Sequence, residues 1–219
     1  EVEIDYETDY SLTAPLNWMY APDLQSLRIP YLVLGVGERS ERLPALEPGH
    51  AFEFAYRPAR FYGNTSRSIA FIAPPSSCLR ILEPRFDSAA TFSKPSPVLE
   101  QLTQLSNPDL ILTDVSAPAL PESIFGAEPP HDWCYYYAKA ELARQSGDWK
   151  TVASLGDEAA QQGFAPRAPV EWLPFIEAYA QTGQIKKAGE LSRLALQTPS
   201  MRKGICALWL RVAEKQPIA

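Results

Sequence analysis

Residues 128–149 read EPPHDWCYYYAKAELARQSGDW and set His131, Asp132 and Cys134 almost side by side. These are the side-chain types of a nucleophilic hydrolase, in which a thiolate attacks, an imidazole takes the proton and a carboxylate orients the ring. That chemistry needs the three groups to converge in space. On a helix, residues three apart are neighbours, so His131 reaches Cys134 only if the helix already includes His131, and Asp132 then points elsewhere. Cys–His pairs are assembled by a fold, not by adjacency in the chain. The spacing therefore predicts a plainer arrangement. Pro129 and Pro130 end a linker, Asp132 or a neighbour caps a helix, and Cys134 packs inside.

The other chemistry-bearing stretches lead to the same place. GVGERS follows a strand-like run, but a dinucleotide fingerprint wants a third glycine where Ser40 stands, then a helix, and ERLPALEPG leaves little room for one. The two histidines, His50 and His131, lie far apart, and no His/carboxylate cluster has metal-ligand spacing. Asp5, Glu7 and Asp9 read as an exposed acidic start, and the sequon at Asn64 reads as a turn. Paired carboxylates for glycoside hydrolysis are recognised by separation in space, which a sequence does not give. No catalytic, cofactor-binding or metal-ligating residue is assigned, and no cofactor is expected.

Three cysteines, Cys78, Cys134 and Cys206, forbid a complete set of internal disulfides. No C-x-x-C pair occurs, which excludes a zinc knuckle or a thioredoxin-type motif on spacing. Two readings stay open: three buried thiols, or one bridge and one free thiol in an exported domain, with Cys134 pairing to Cys78 or to Cys206.

Composition bounds the function class. Of 219 residues 46% are hydrophobic, enough for a real core. The 26 acidic and 20 basic residues give −6, and no Lys/Arg stripe marks a nucleic-acid groove or an anionic membrane surface. No apolar run approaches the roughly 18 residues of a transmembrane helix. The chain starts EVEIDYETDY, without an initiator Met or a signal peptide, and is expected to be part of something longer.

The elements that would position these residues change character near residue 128. Prolines crowd the region from Pro84 to Pro130 and then retreat to apparent helix edges at Pro166, Pro169 and Pro199. Residues 1–127 are expected to form a small α/β domain with a proline-rich C-terminal linker. Its helices are SLTAPLNWMYA, capped by Ser11 with Pro15 near the first turn, and KPSPVLEQLTQLS, capped by Ser96 with Pro97 first. Its strands are YLVLGV, AFEFAYR, SIAFIAP, CLRILEP and DLILTDV, by apolar run or alternation. Residues 128–219 are expected to be all-α, with helices over 132–146, 148–162, 169–182, 184–197 and 199–214. Trp133, Tyr136, Tyr137, Ala140 and Ala143 share one face of the first, and Gly147, Gly163 and Gly183 act as stops.

Gly147 and Gly183 stand 36 residues apart, and the stretches around them align, Tyr136 over Trp172, Val152 over Ala188 and Ala159 over Ala195. Large aromatics fill the groove between paired helices, alanine lets helices approach closely, and glycine makes the turn. This pattern resembles the tetratricopeptide repeat, nominally about 34 residues per helix pair. Trp172, Phe175, Tyr179, Gly183, Ala188, Ala195 and Pro199 fit it best, whereas Lys139 departs from it. Two pairs plus a capping helix are few for a free-standing array, so another part of the chain is expected to cover it. The aromatics Trp133, Tyr135, Trp149, Trp172 and Tyr179 are the candidate interaction surface, and Tyr135 lies off the helix-pair seam.

The segments DYSLTAPLNWMYAPD, FYGNTSRSIAFIAPPSSCLRILEP and EPPHDWCYYYAKAELARQSGDW are similar to the C-terminal soluble region of uncharacterised bacterial polytopic membrane proteins with a glycosyltransferase-like membrane part. The resemblance covers nearly the whole chain. It implies an extracytoplasmic tail, anchored through transmembrane segments outside this sequence, and no catalytic residues within it. The expected function is a non-catalytic interaction or docking module whose partner is a protein or the membrane-embedded part of the same chain. The alternative is an accessory domain that holds a lipid-linked sugar for that membrane part, with a pocket near Gly35–Arg39 or Asp114.

Overall fold

A computed structural model describes residues 6–23, 26–35, 43–74, 76–113 and 121–215. Among these the fold is mixed α+β, with eight helices, two small sheets of short strands, and about half of it helical. The chain divides into two compact units. One comprises Glu1–Ala70 and Gln101–Pro129, the other Phe71–Glu100 and Pro130–Ala219. The division is discontinuous in sequence. A single cut at residue 127 assigns 71–100 to the first part, whereas these residues belong with the helices.

In the first unit α1 (Tyr6–Tyr20) is followed by β1 (Arg28–Ile29), then by the hairpin of β2 (Ala51–Tyr56) and β3 (Ala59–Asn64). The sheet order is β1-β3-β2, β1 parallel and β2 antiparallel to β3, with Phe54 opposite Phe61. AFEFAYR is a strand, as its alternation predicts, and Arg57 makes the tight turn at φ 54°. Two expected strands do not form among the described residues. Residues 31–35 carry no strand pairing because α1 serves them instead. Asn17 accepts from the Tyr31 N–H (3.1 Å) and donates to the Tyr31 carbonyl (2.7 Å), and Thr13 Oγ1 accepts from the Val33 N–H (3.0 Å). Asn17 and Thr13 are one helical turn apart, and Tyr31 and Val33 one strand repeat apart, so two side chains stand in for a neighbouring strand. DLILTDV starts as a 3-10 turn over 108–110, capped by Asn107, and Leu112 is exposed. Residues 114–115 of that stretch lie outside the described residues. This mixture replaces the regular strand–helix alternation of an α/β domain.

Pro15 sits inside α1, which begins at Tyr6 and not at the expected cap Ser11. The helix α2 (Pro97–Leu105) starts as expected, with Ser96 Oγ accepting from the Leu99 N–H (3.2 Å). A short α3 (Glu122–Phe125) follows.

The second unit contains β4 (Phe71–Ile72) and β5 (Arg80–Ile81), a two-residue ladder, and then α4 (Trp133–Gln145), α5 (Trp149–Gln161), α6 (Leu173–Gln181), α7 (Ile185–Ala195) and α8 (Arg202–Lys215). These are the five expected helices. The third and fifth open through 3-10 turns at Pro169 and Pro199, whose missing N–H groups are lost where no helical partner exists. The pair α4–α5 and the pair α6–α7 are joined by the same turn. Gly147 and Gly183 adopt φ 74° and 80°, the left-handed region open to glycine. After each, a backbone N–H reaches five residues back in the same register, Asp148 to Ala143 (2.9 Å) and Gln184 to Tyr179 (2.7 Å). Val152 with Ala188, and Ala159 with Ala195, are all buried in the helix crossings. Gly156 permits a further close approach: a Cβ there would stand 2.6 Å from Tyr179 Oη and 2.7 Å from Phe175 Cδ1.

Candidate functional site

The residues that opened the sequence reading do not form a nucleophilic site. Asp132 is the N-cap of α4; its Oδ1 accepts from the Cys134 N–H at 2.9 Å, and its carboxylate also pairs with Arg167. Cys134 is bonded to Cys78, so it holds no thiolate. His131 lies flat on Tyr135, ring centroids 3.5 Å apart. Of the open cysteine readings, the bridge is the Cys78–Cys134 one, and Cys206 is a free, exposed thiol.

The five candidate aromatics separate by burial. Trp133 and Tyr179 lie in the core and present no surface. Trp172 is half-buried, edge-on to Trp133 at 5.7 Å. Trp149 is half-buried and meets Phe86 edge-on at 6.4 Å. Tyr135 is half-buried between the His131 ring and Tyr136, with the Lys139 ammonium 5.8 Å from its ring. Tyr179 is tied inward, donating to Asp157 at 2.9 Å, and burial with that carboxylate pushes its phenol up.

What the structure assembles instead is a face built by α4, α6 and α8 and covered by the strap of residues 76–93. Cys134, Tyr137, Glu141 and Arg144 follow one another at three- and four-residue steps, a single stripe along α4. Glu177 on α6 and Arg211 on α8 complete it. Glu177 accepts from Arg144 at 2.6 Å and from Arg211 at 3.0 Å. Glu141 meets Arg144 at 3.3 Å. From the strap come Arg80, paired with Asp87 at 3.7 Å, and Glu83, paired with Arg85. Arg85 also donates to the Gln145 carbonyl at 3.0 Å. The Phe86 ring carries the Arg144 guanidinium at 3.8 Å and Arg211 at 5.6 Å. At one end of the strap Glu171, fully buried, accepts from the Cys78 N–H (2.8 Å), the Trp133 indole (2.7 Å) and the Arg167 N–H (2.8 Å). At the other end, Gly204 leaves room for the strap backbone, where a Cβ would stand 3.1 Å from the Ala90 carbonyl oxygen.

The cluster holds four guanidiniums (Arg80, Arg85, Arg144, Arg211) and four carboxylates (Glu83, Asp87, Glu141, Glu177), so its formal charges balance. Burial sets the pKa order within it. Desolvation pushes Glu141 up to about 7, with Asp87 adding to the rise and Arg144 opposing it. Glu83 is raised for the same reason, against the pull of Arg85. Glu177 is also desolvated, but Arg144 and Arg211 outweigh that and hold it below the ordinary carboxylate range. Arg80 Nε, Glu83 Oε2 and Arg144 Nε are buried with no hydrogen-bond partner. Chemically, the arrangement is a charge-balanced packing surface for a short, turn-rich segment. Among the described residues no group of three or more His, Cys, Asp and Glu side chains is placed to hold a metal ion.

Sequence reasoning passed over this cluster, although a signal was there. Glu141 and Glu177 are 36 residues apart, the spacing of Gly147 and Gly183, so the repeat places a carboxylate at the same position of both first helices. The proposed pocket near Gly35–Arg39 or Asp114 falls largely outside the described residues, as do the side chains of Asp5, Glu7, Asp9 and Ser11. No protein-family model, no curated protein and no solved structure matches this chain.

Proposed function

We propose that this chain is a non-catalytic interaction module, with a tetratricopeptide-like helical part, working outside the cytoplasm as the C-terminal region of a larger membrane protein. The observation that carries the reading is the structural repeat: two helix pairs closed by the same glycine turn, with α8 stacked behind them. Stacked helix pairs present extended faces to other chains and need no internal chemistry to do so. The Cys78–Cys134 bridge supports the compartment, because structural disulfides form and persist in oxidising environments. No helix among the described residues is long and apolar enough to cross a membrane, so anchoring falls to segments outside this sequence.

Two measurements test the two halves of this reading. The reading frame upstream of Glu1 is expected to encode transmembrane helices, and a frame without them overturns the membrane-tail half. The purified chain is then expected to bind the detergent-solubilised membrane part of that same frame in a biosensor titration. No saturable binding would remove the docking half.

A further inference from the structure

We propose that the α4–α6–α8 face is a binding surface for a short, turn-rich segment bearing arginine and aromatic side chains, and that residues 76–93 are its resident ligand, locked in place by the Cys78–Cys134 bridge. This deepens the interaction-module reading and rests on it.

Three features of the strap are those of a bound peptide. Beyond the β4–β5 ladder at Arg80–Ile81 and the Cys78 N–H bond to Glu171, its backbone hydrogen bonds are local, Phe86 and Asp87 to Glu83 and Thr91 to Ser88, so its second half brings its own turns. It meets the helices through an aromatic anchor, Phe86, stacked against Arg144 and Arg211, while its own charges pair within it, Arg80 with Asp87 and Arg85 with Glu83, as those of the helices pair among themselves, so neither side presents an unbalanced charge to the other. The surface beneath it repeats with the helix pairs, Glu141 on α4 and Glu177 on α6, which a repeating groove provides and a one-off core contact does not require.

The fit is also incomplete. Arg80 Nε, Glu83 Oε2 and Arg144 Nε are buried without partners, and each such atom works against closure. The bridge offsets that cost by keeping the strap at high local concentration, since it fixes Cys78 to the first turn of α4. Cys78 is buried and Cys134 is half-buried, so Cys134 is the sulfur a reductant reaches. A dithiol reductant attacks Cys134 Sγ, forms a mixed disulfide and expels Cys78 as thiolate. The second thiol of the reductant then closes its own disulfide and frees Cys134. Two electrons pass from the dithiol to the bridge, and each cysteine ends with a proton. The strap is then held by non-covalent contacts alone, the two-residue β4–β5 ladder, the Cys78 N–H bond to Glu171 and its side chains.

The test uses the whole chain, oxidised, reduced with dithiothreitol, and as the Cys78→Ser variant. Hydrogen exchange is expected to show residues 76–93 losing protection in the reduced chain and in the variant while α6 keeps its own. A fluorescent peptide of residues 76–93 carrying Cys78→Ser is expected to bind the reduced chain and the variant at least tenfold more tightly than the oxidised chain. The same peptide with Phe86→Ala is expected to lose at least tenfold of that affinity, a comparison that needs no refolding of the protein. Three results overturn the proposal: 76–93 stay protected after reduction, α6 opens together with the strap, or the peptide fails to bind the reduced chain. Such a result leaves docking to the membrane part standing. Failure of that docking, in turn, does not alter the exchange pattern, so the two readings fail separately.

Discussion

The two units solve the same problem, satisfying the backbone while burying apolar surface, in different ways. The helical unit satisfies its backbone locally and spends its side chains on one continuous core running from Trp133 through Tyr179 to Val212. The first unit has strands of two to six residues and satisfies part of its backbone through side chains, as Asn17 and Thr13 do for 31–33. It leaves Trp18 and Tyr20 about half exposed, at 49% and 51%. A core made of repeats tolerates a buried ionic cluster because the apolar contacts around it are redundant. A unit whose geometry hangs on single side chains does not have that margin. The difference teaches where each is vulnerable: the helical unit at its buried charges and tight crossings, the first unit at individual hydrogen bonds.

The largest expected effect is in the helical unit. Glu177→Ala removes the carboxylate shared by Arg144 and Arg211 and leaves buried positive charge behind, a change worth about 3–5 kcal/mol. Chemical denaturation followed by tryptophan fluorescence should show that loss. A change below about 1 kcal/mol would mean that the cluster is wetter than its burial implies.

The pH dependence comes next. The folded Glu141 carboxyl titrates at about 7, above its ordinary value, so between about pH 4.5 and 7 the folded state binds more protons than the unfolded state. Stability therefore falls as pH rises through that window, by about 3 kcal/mol. Glu83, raised as well, adds to the fall, whereas the lowered Glu177 acts in the opposite sense at more acid pH. Glu141→Gln is expected to flatten the slope of stability against pH, and an unchanged slope would assign it to another group. The groups facing Glu141 are Arg80, Glu83 and Asp87 from the strap and Arg144 from its own helix.

Gly156→Ala tests the crossing of α5 on α6. The new methyl meets Phe175 and Tyr179, both buried, and is expected to cost about 1–3 kcal/mol of helical-unit stability. The counterpart in the first unit is Asn17→Ala, which strips two hydrogen bonds from Tyr31 and is expected to cost about 1–2 kcal/mol. By hydrogen exchange its effect should stay within residues 12–35, with α6 unchanged. Spread of the effect into α6 would break the comparison between the units. The smallest effect is expected from Asp148→Ala, which removes the exposed α5 cap on the Thr151 N–H and should lower the denaturation midpoint less than any other substitution here.

The helical half was legible because its signals are local. Asp132 and Asp148 announce helix starts, Gly147 and Gly183 announce stops, and 3.6-residue spacing marks the faces between them. The strands were less legible. AFEFAYR alternates and forms β2, but YLVLGV is a continuous apolar run, and such a run takes whichever backbone partner the fold offers. Here that partner is a pair of side chains on α1. The candidate face was the least legible, since its charges come from three helices and a distant strap. Only the 36-residue spacing of Glu141 and Glu177 pointed to it.

By itself the sequence determined the five C-terminal helices, their glycine turns, the repeat, the Asp148 cap, and a cap at Asp132 or a neighbour in place of a catalytic site. Each rests on interactions within a few residues, which spacing encodes directly. Only the tertiary structure decided that Cys134 pairs with Cys78, that 76–93 belong with the helices, and that the buried charges of Arg80, Glu83, Asp87, Arg144 and Glu177 gather around Phe86. Those contacts join residues tens of positions apart. Their energies depend on burial and on what faces them, neither of which exists until the chain has packed.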